Sequence, residues 1–150
     1  MRGIRLALFI VASASLITVS VTAKGVTTRL IISGPGFEYP TELASREAVS
    51  ADVFGGNFLG AEVDAPNRNL PRYTISFLVE TPRNPVQLMY VIEYVRNPLG
   101  GGFVYLPGER DEWYRLNVRT IMRGAEGRWL RAAAPWSDAI NATLPTTPRR

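Results

Sequence analysis

The most regular hydrophobic pattern in the chain is a two-residue alternation across its middle. An apolar side chain occupies every second position of residues 73–80, and the alternation resumes over residues 86–95 after a Pro-containing turn at 81–85. A period of two residues is that of a β-strand, so the pattern predicts two strands joined by a turn. Both faces of the second strand are largely apolar, which predicts a central strand that is covered on both sides.

Shorter stretches on either side carry strand signals of their own. Segments rich in β-branched, aromatic and apolar residues predict strands or extended segments at 26–33, 37–43, 103–106 and 127–133. Residues 60–71 are polar and rich in Pro and Asn, which predicts a surface loop.

Helix signals occur in three places. Ser45 is a suitable N-cap for a short helix over residues 46–54, and a Pro near its start favours a final short helix over residues 135–144. Residues 113–118 have two interpretations, because they alternate like a strand while Asn117 would equally cap a helical turn that follows it.

Together these elements predict an α+β domain that is mainly β. The strands at 73–80, 86–95 and 103–106 form an antiparallel meander within a mostly antiparallel sheet, which either stays open or curls towards a barrel. One or two short helices pack on this sheet. The length fits a single globular domain over residues 24–145, followed by a flexible C-terminal tail at 146–150.

The first 23 residues have the pattern of a secretory signal peptide. Arg2 and Arg5 supply a positive n-region, residues 6–21 are uncharged and mostly apolar, and Val21-Thr22-Ala23 offers small or β-branched residues before a cleavage site. We therefore expect cleavage after Ala23 and export to the periplasm, the cell envelope or the extracellular space. The alternative is an uncleaved N-terminal membrane anchor, which the Ser and Thr residues in the apolar run disfavour.

Export lowers the basic charge of the working protein. The whole chain has 17 basic and 13 acidic residues, and removal of Arg2 and Arg5 leaves a net charge of +2. Six arginines lie close together in the C-terminal half, but they are interleaved with Asp111, Glu112 and Glu126. These arginines are Arg110, Arg115, Arg119, Arg123, Arg128 and Arg131. A mixed-charge surface of this kind differs from the continuous basic face of nucleic-acid-binding proteins, so we expect no nucleic-acid partner.

The absence of two residue types restricts the possible chemistry. The chain contains no Cys and no His, which excludes disulfides, Ser-His-Asp and Cys-His nucleophiles, haem ligation by either residue and the usual zinc sites. Lys24 is the only lysine and lies at the expected mature N-terminus, which argues against a buried Ser-Lys pair. We expect no cofactor and no metal.

An acidic group and an aromatic group adjoin one another in the second half of the chain. Glu109, Asp111 and Glu112 are candidate catalytic carboxylates, because glycosidases use two carboxyl groups beside an apolar wall; an exposed, solvated loop is the alternative. Four residues are candidates for ligand binding, because aromatic rings suit a sugar or an extended peptide. They are Tyr105, Trp113, Tyr114 and Asn117. Core packing would use the same kinds of ring: Trp129 and Trp136 fit the core better, while Tyr105 and Tyr114 fit either role.

Several turn and aromatic motifs occur together in this chain. They are Ser33-Gly34-Pro35-Gly36, Tyr105-Leu106-Pro107-Gly108, Trp113-Tyr114 with Asn117, Gly127-Arg128-Trp129, and Trp136. In these motifs the chain resembles a group of small uncharacterised exported bacterial proteins. The resemblance covers most of the mature chain and implies a bacterial envelope or extracellular location, with no function attached.

Three classes of function remain compatible with the sequence. The pattern favours a non-enzymatic binding or interaction module that contacts an envelope glycan or protein through exposed aromatic rings or a free sheet edge. The alternative is a small carboxylate-dependent glycan hydrolase that acts through residues such as Glu109 and Glu112. A structural or signalling subunit of an envelope assembly is the third class, and it would expose a contiguous apolar patch.

Overall fold

A computed structural model of the chain describes residues 26–43 and 45–145. The predicted signal segment 1–23 and the predicted tail 146–150 lie outside the described residues. The described residues form seven strands and three short helices. In chain order the elements are β1 (Val26–Ser33), β2 (Thr41–Leu43), α1 (Arg46–Val49), β3 (Leu59–Val63), β4 (Arg72–Thr81), β5 (Asn84–Arg96), β6 (Gly102–Tyr105), α2 (Tyr114–Thr120), β7 (Trp129–Ala132) and α3 (Ala134–Thr143).

The strands form one antiparallel sheet in the order β2-β1-β4-β5-β6-β7-β3. The mainly β, α+β class is therefore confirmed, and β4, β5 and β6 are the predicted meander. The sheet is open rather than closed into a barrel, with β2 and β3 as its two edges among the described residues. β5 is the fourth of the seven strands, so the prediction of a central strand is also confirmed.

The alternating residues of β4 and β5 place one face of the sheet in the core. Tyr73 pairs with Tyr94, and Phe77 pairs with Tyr90; all four side chains are buried. Directly opposite residues of an antiparallel pair point to the same face, which joins their rings in one layer. The first part of β5 is not covered on both sides as predicted, because residues 84–88 are exposed and extend beyond the core.

The core layer is closed by α1 and α3. The Trp136 ring on α3 lies 5.3 Å from the Phe58 ring, which in turn lies 5.0 Å from the Phe77 ring. The Trp136 indole N–H donates a hydrogen bond to the Ala48 carbonyl oxygen at 3.2 Å, and this contact joins α3 to α1. The prediction of Trp136 as a core residue is confirmed.

The helix α2 settles the ambiguity at 113–118 in favour of a helix, and the strand interpretation is wrong. Asn117 lies within α2 rather than capping it, and its side chain is 1% exposed. Its Nδ2 donates to the Val91 carbonyl at 2.7 Å and its Oδ1 accepts from the Val91 N–H at 2.9 Å. Because β6 pairs only with residues 93–96 of β5, Asn117 supplies the hydrogen bonds that a neighbouring strand would make to Val91.

Two other boundaries differ from the predictions. The Ser45 N-cap is confirmed, since its Oγ accepts from the Ala48 N–H at 3.0 Å, but α1 ends at Val49 instead of residue 54. The Asn57 amide bonds to the Ser50 carbonyl and the Asp52 N–H, which are groups that a longer helix would use. The loop predicted at 60–71 begins with a strand, because Leu59–Val63 pairs with β7.

Candidate functional site

A row of polar and aromatic residues crosses the sheet on the face opposite the core, which we call the second face. Thr74 on β4 pairs with Glu93 on β5, Glu93 pairs with Tyr105 on β6, and Tyr105 pairs with Trp129 on β7. Four consecutive strands thus place one residue each side by side.

Arg72 contacts two members of the row, Glu93 and Trp129. Its guanidinium forms an ion pair with Glu93, and its central carbon lies 5.1 Å from the centroid of the Trp129 ring. The Tyr105 ring packs on Trp129 with a centroid distance of 5.1 Å, and Trp129 is 8% exposed. Guanidinium, indole and phenol therefore form one packed layer, in which a cation lies on the electron-rich face of the indole. This packing orients Tyr105 and Glu93.

The segment that follows β6 folds back over this layer. Asp111 Oδ2 accepts hydrogen bonds from the Tyr105 hydroxyl at 2.8 Å and from the Gly108 N–H at 2.7 Å, while the Asp111 N–H donates to the Gly108 carbonyl. Gly108 lies so close to Gly127 that a Cβ at Gly108 would be 2.9 Å from the Gly127 Cα. Two of the glycine motifs seen in the sequence thus pack against each other and hold the segment in place.

The Tyr105 hydroxyl is a stable hydrogen-bond donor in this setting. Burial raises the pKa of Tyr105, and the hydrogen bond to Asp111 together with the negative charge of Asp111 raises it further. The phenol therefore keeps its proton throughout the neutral range, and Asp111 stays anchored to β6.

A cavity of about 200 Å³ lies between the second face and this segment; we call it the inner cavity. The residues that line it include two acidic residues, two residues with a hydroxyl group and one tryptophan. The lining residues are Thr74, Ile92, Glu93, Tyr105, Pro107, Asp111 and Trp113. The volume is below that of pockets for drug-sized ligands, so the inner cavity suits a single ring-sized polar group.

A second hollow of about 400 Å³ adjoins the inner cavity; we call it the outer hollow. Tyr105 and Asp111 line both spaces, so the hydrogen bond between them forms the common wall. Gly108, Glu109 and Arg110 complete the lining of the outer hollow.

The structure brings together some of the residues predicted to form a site and separates others. Tyr105, Trp113 and Asp111 meet in the inner cavity, and Glu109 lies in the outer hollow. Glu112 is exposed and Tyr114 is half-buried on α2; neither lines these two spaces. Asn117 uses its amide to hold β5, as described above.

Sequence reasoning missed Glu93, Arg72 and Thr74. Glu93 carried a usable signal, because it is the one charged side chain within the strand predicted to be covered on both sides. A charge in such a position needs a partner, and Arg72 on the neighbouring strand supplies it.

A third cavity of about 380 Å³ lies beside the turn between β5 and β6. Asn141 lines it, but its side chain accepts from the Tyr94 hydroxyl at 2.9 Å and donates to the Gly101 carbonyl at 2.9 Å. Gly100 and Gly101 have φ of +107° and +73°, so this Gly-rich stretch is a tight hairpin turn. The amide of Asn141 is therefore already used to join α3 to the sheet.

Two kinds of feature were not found in residues 26–43 and 45–145. No three Asp or Glu side chains of this part come together as a candidate metal site. None of its helices combines the length and apolar character needed to span a membrane.

Comparison with known proteins gives no match: neither a family model, nor a curated protein, nor a solved structure matches this chain.

Proposed function

We propose that this chain is an exported binding module that holds a sugar unit of an envelope glycan in the inner cavity. The observation that carries the proposal is the composition of that cavity, whose lining includes the acidic residues Glu93 and Asp111 together with two aromatic residues, one of them Trp113. A sugar presents hydroxyl donors around its rim and C–H groups on its faces. Carboxylates accept hydrogen bonds from the sugar hydroxyls, and an aromatic ring packs on the C–H groups.

The charge of the inner cavity argues for a ligand without a strong negative charge. Its seven described lining residues include Glu93 and Asp111 but no Arg or Lys. Arg72, which neighbours the cavity, is already paired with Glu93 and packed on Trp129. A phosphate or carboxylate group would therefore meet two acids and no free cation, whereas neutral hydroxyl groups would find acceptors.

Binding is favoured over glycan hydrolysis by the contacts of the carboxylates. The pair considered from the sequence, Glu109 and Glu112, does not line a common space. In the inner cavity, Glu93 accepts from Arg72, and Asp111 accepts from Tyr105 and Gly108. A glycosidase needs one carboxyl group that donates a proton to the leaving group. Both carboxylates of the inner cavity act as acceptors.

Retention of the purified chain on insoluble polysaccharides tests this proposal. Chitin and cellulose serve as neutral probes and peptidoglycan as a charged one, and the variants are Trp113→Ala and, as a control, Tyr39→Ala. Tyr39 is 71% exposed and lines neither the inner cavity nor the outer hollow. Loss of an aromatic packing partner costs about 0.5–1.5 kcal/mol, so we expect retention of Trp113→Ala to be weaker by up to about tenfold and retention of Tyr39→Ala to be unchanged.

Two outcomes would contradict the proposal. Failure of the wild-type chain to bind any of the three polysaccharides would refute glycan binding, and equal retention of Trp113→Ala would place the contact elsewhere. Release of new reducing ends that stops in an Asp111→Asn variant would instead identify the chain as a hydrolase.

A further inference from the structure

We infer that the ligand is a neutral oligosaccharide of at least two sugar units, which lies across the Tyr105–Asp111 hydrogen bond. This inference rests on the proposed function and adds the length and charge class of the glycan. It starts from the common wall between the inner cavity and the outer hollow, which Tyr105 and Asp111 form together.

The dimensions of the two spaces favour a chain over a single sugar. The inner cavity measures about 200 Å³, and the outer hollow, about twice as large, begins on the other side of a hydrogen bond of 2.8 Å. A ligand that fills only the inner cavity leaves the outer hollow empty. A second unit linked to the first passes over Tyr105 and Asp111 and enters the outer hollow.

The outer hollow has the groups to hold a second sugar unit. Glu109 offers acceptor oxygens and Arg110 offers donor N–H groups, so a sugar hydroxyl can both donate and accept there. Gly108 leaves this part of the wall without a side chain, which lets the ligand approach the backbone. The two ends of the site therefore differ, since the inner cavity is rich in acceptors and the outer hollow has both kinds of group.

The combined charge disfavours anionic chains. Glu93, Asp111 and Glu109 line the two spaces, and Arg110 is the single basic residue among the described lining residues. Since Arg72 is committed to Glu93, two carboxylates face one guanidinium. Repulsion between like charges disfavours a polyanionic glycan at such a site.

The dependence of affinity on chain length tests the inference. The polysaccharide that the wild-type chain retains is cut into fragments of one to four sugar units, and Kd is measured for each fragment by calorimetry. We expect Kd to fall at least about tenfold from one unit to two. Arg110→Ala reduces this gain, whereas Arg83→Ala, an exposed arginine on the turn between β4 and β5, leaves it unchanged.

The two proposals fail in different ways. Equal Kd values for all fragment lengths, with binding still lost in Trp113→Ala, would overturn the inference and leave a site for one sugar. An unchanged gain in Arg110→Ala, or tighter binding of a polyuronic acid than of the neutral fragments, would also overturn it. Absence of retention on every polysaccharide would refute the proposed function itself.

Discussion

Asn117 shows how one buried polar side chain can replace part of a β-strand. Its amide has one acceptor and one donor group, and each is matched to a backbone group of Val91. Buried backbone groups are costly to leave without partners, so the amide at this position contributes to the sheet rather than to the surface.

We predict that Asn117→Leu destabilises the protein by about 2–3 kcal/mol, because the N–H and C=O of Val91 lose their partners in a buried site. Asn117→Asp keeps the acceptor but places a buried carboxylate against the Val91 carbonyl oxygen, so a loss at least as large is expected. Urea unfolding monitored by fluorescence measures both effects. Asn69→Leu is the control, since Asn69 is exposed; equal stability of Asn117→Leu and wild type would contradict the role of Asn117.

The buried tyrosines of β5 make stability sensitive to alkaline pH. Burial raises the pKa of Tyr94 and of Tyr90, and for Tyr90 the hydrogen bond and positive charge of Arg123 partly oppose the effect. Arg123 Nε donates to the Tyr90 hydroxyl at 3.2 Å. The folded state therefore retains protons that the unfolded state releases.

Unfolded phenols ionise near pH 10, so the contribution of these two groups is complete below about pH 10 and decreases as pH rises above it. We predict a free energy of unfolding that falls progressively above that pH. Phenolate absorbance should also rise at higher pH in the folded protein than in the denatured chain. Coincident titration curves for the two states would contradict the burial of Tyr90 and Tyr94.

At the residue scale, the sequence identified the types of residue that form the site, but not which of them meet in the fold. Tyr105, Asp111 and Trp113 were identifiable because aromatic and acidic residues adjoin a Pro-Gly turn. The contact of Asn117 with β5 could not be predicted, because its partner Val91 is 26 positions away in the chain. Arg72 and Glu93 are similarly distant in sequence and adjacent only once β4 and β5 pair.

At the element scale, the end of β5 and the start of β6 are fitted closely to α3. Gly102 is buried against the Tyr94 phenol, and a Cβ at that position would overlap the ring. The same phenol bonds to Asn141 of α3. The absence of a side chain at Gly102 thus lets Tyr94 reach the helix.

We predict that Gly102→Ala destabilises the protein by about 2–4 kcal/mol, because Tyr94 must move and its hydrogen bond to Asn141 is lost. Gly100→Ala is the matched control: nothing lies within 4 Å of a Cβ there, so only its left-handed φ is strained, at about 1 kcal/mol. Thermal unfolding compares the two variants. A smaller loss for Gly102→Ala than for Gly100→Ala would contradict the close packing.

Long elements with a strong period could be predicted, whereas elements set by tertiary contacts could not. β4, most of β5 and α3 follow from alternation and from a Pro near a helix start. β3 is an exposed edge strand, so it lacks the alternation that a buried face imposes, and pairing with β7 defines it. The early end of α1 depends on the Asn57 side chain, which lies beyond the helix.

At the scale of the whole molecule, the two faces of the sheet have different surroundings. The core face packs Phe58, Phe77 and Trp136 beneath the helices, while the opposite face carries the inner cavity and the outer hollow. Within residues 26–43 and 45–145, the exposed large apolar side chains are dispersed along the sequence. They are Tyr39, Val86, Leu88, Leu99 and Met122. This separation allows variants of the site to be studied without disturbing the core.

Export is predicted from the first 23 residues and is tested on the whole chain. We predict that expression of the full sequence in a bacterial host yields a protein outside the cytoplasm whose intact mass equals that of residues 24–150. The apolar run and the small residues that precede Lys24 are the reason. A protein that keeps residues 1–23 and sediments with membranes would show an anchor in place of a cleaved signal.

The central claim is that the second face of the sheet binds a glycan, and the most direct measurement is an NMR map of backbone amide shifts during titration with the retained oligosaccharide. We predict that the largest changes fall on Thr74, Glu93 and residues 105–113, with little change at residues 96–101 beside the third cavity. Changes concentrated at residues 96–101 and Asn141, or along the exposed start of β5, would contradict the account.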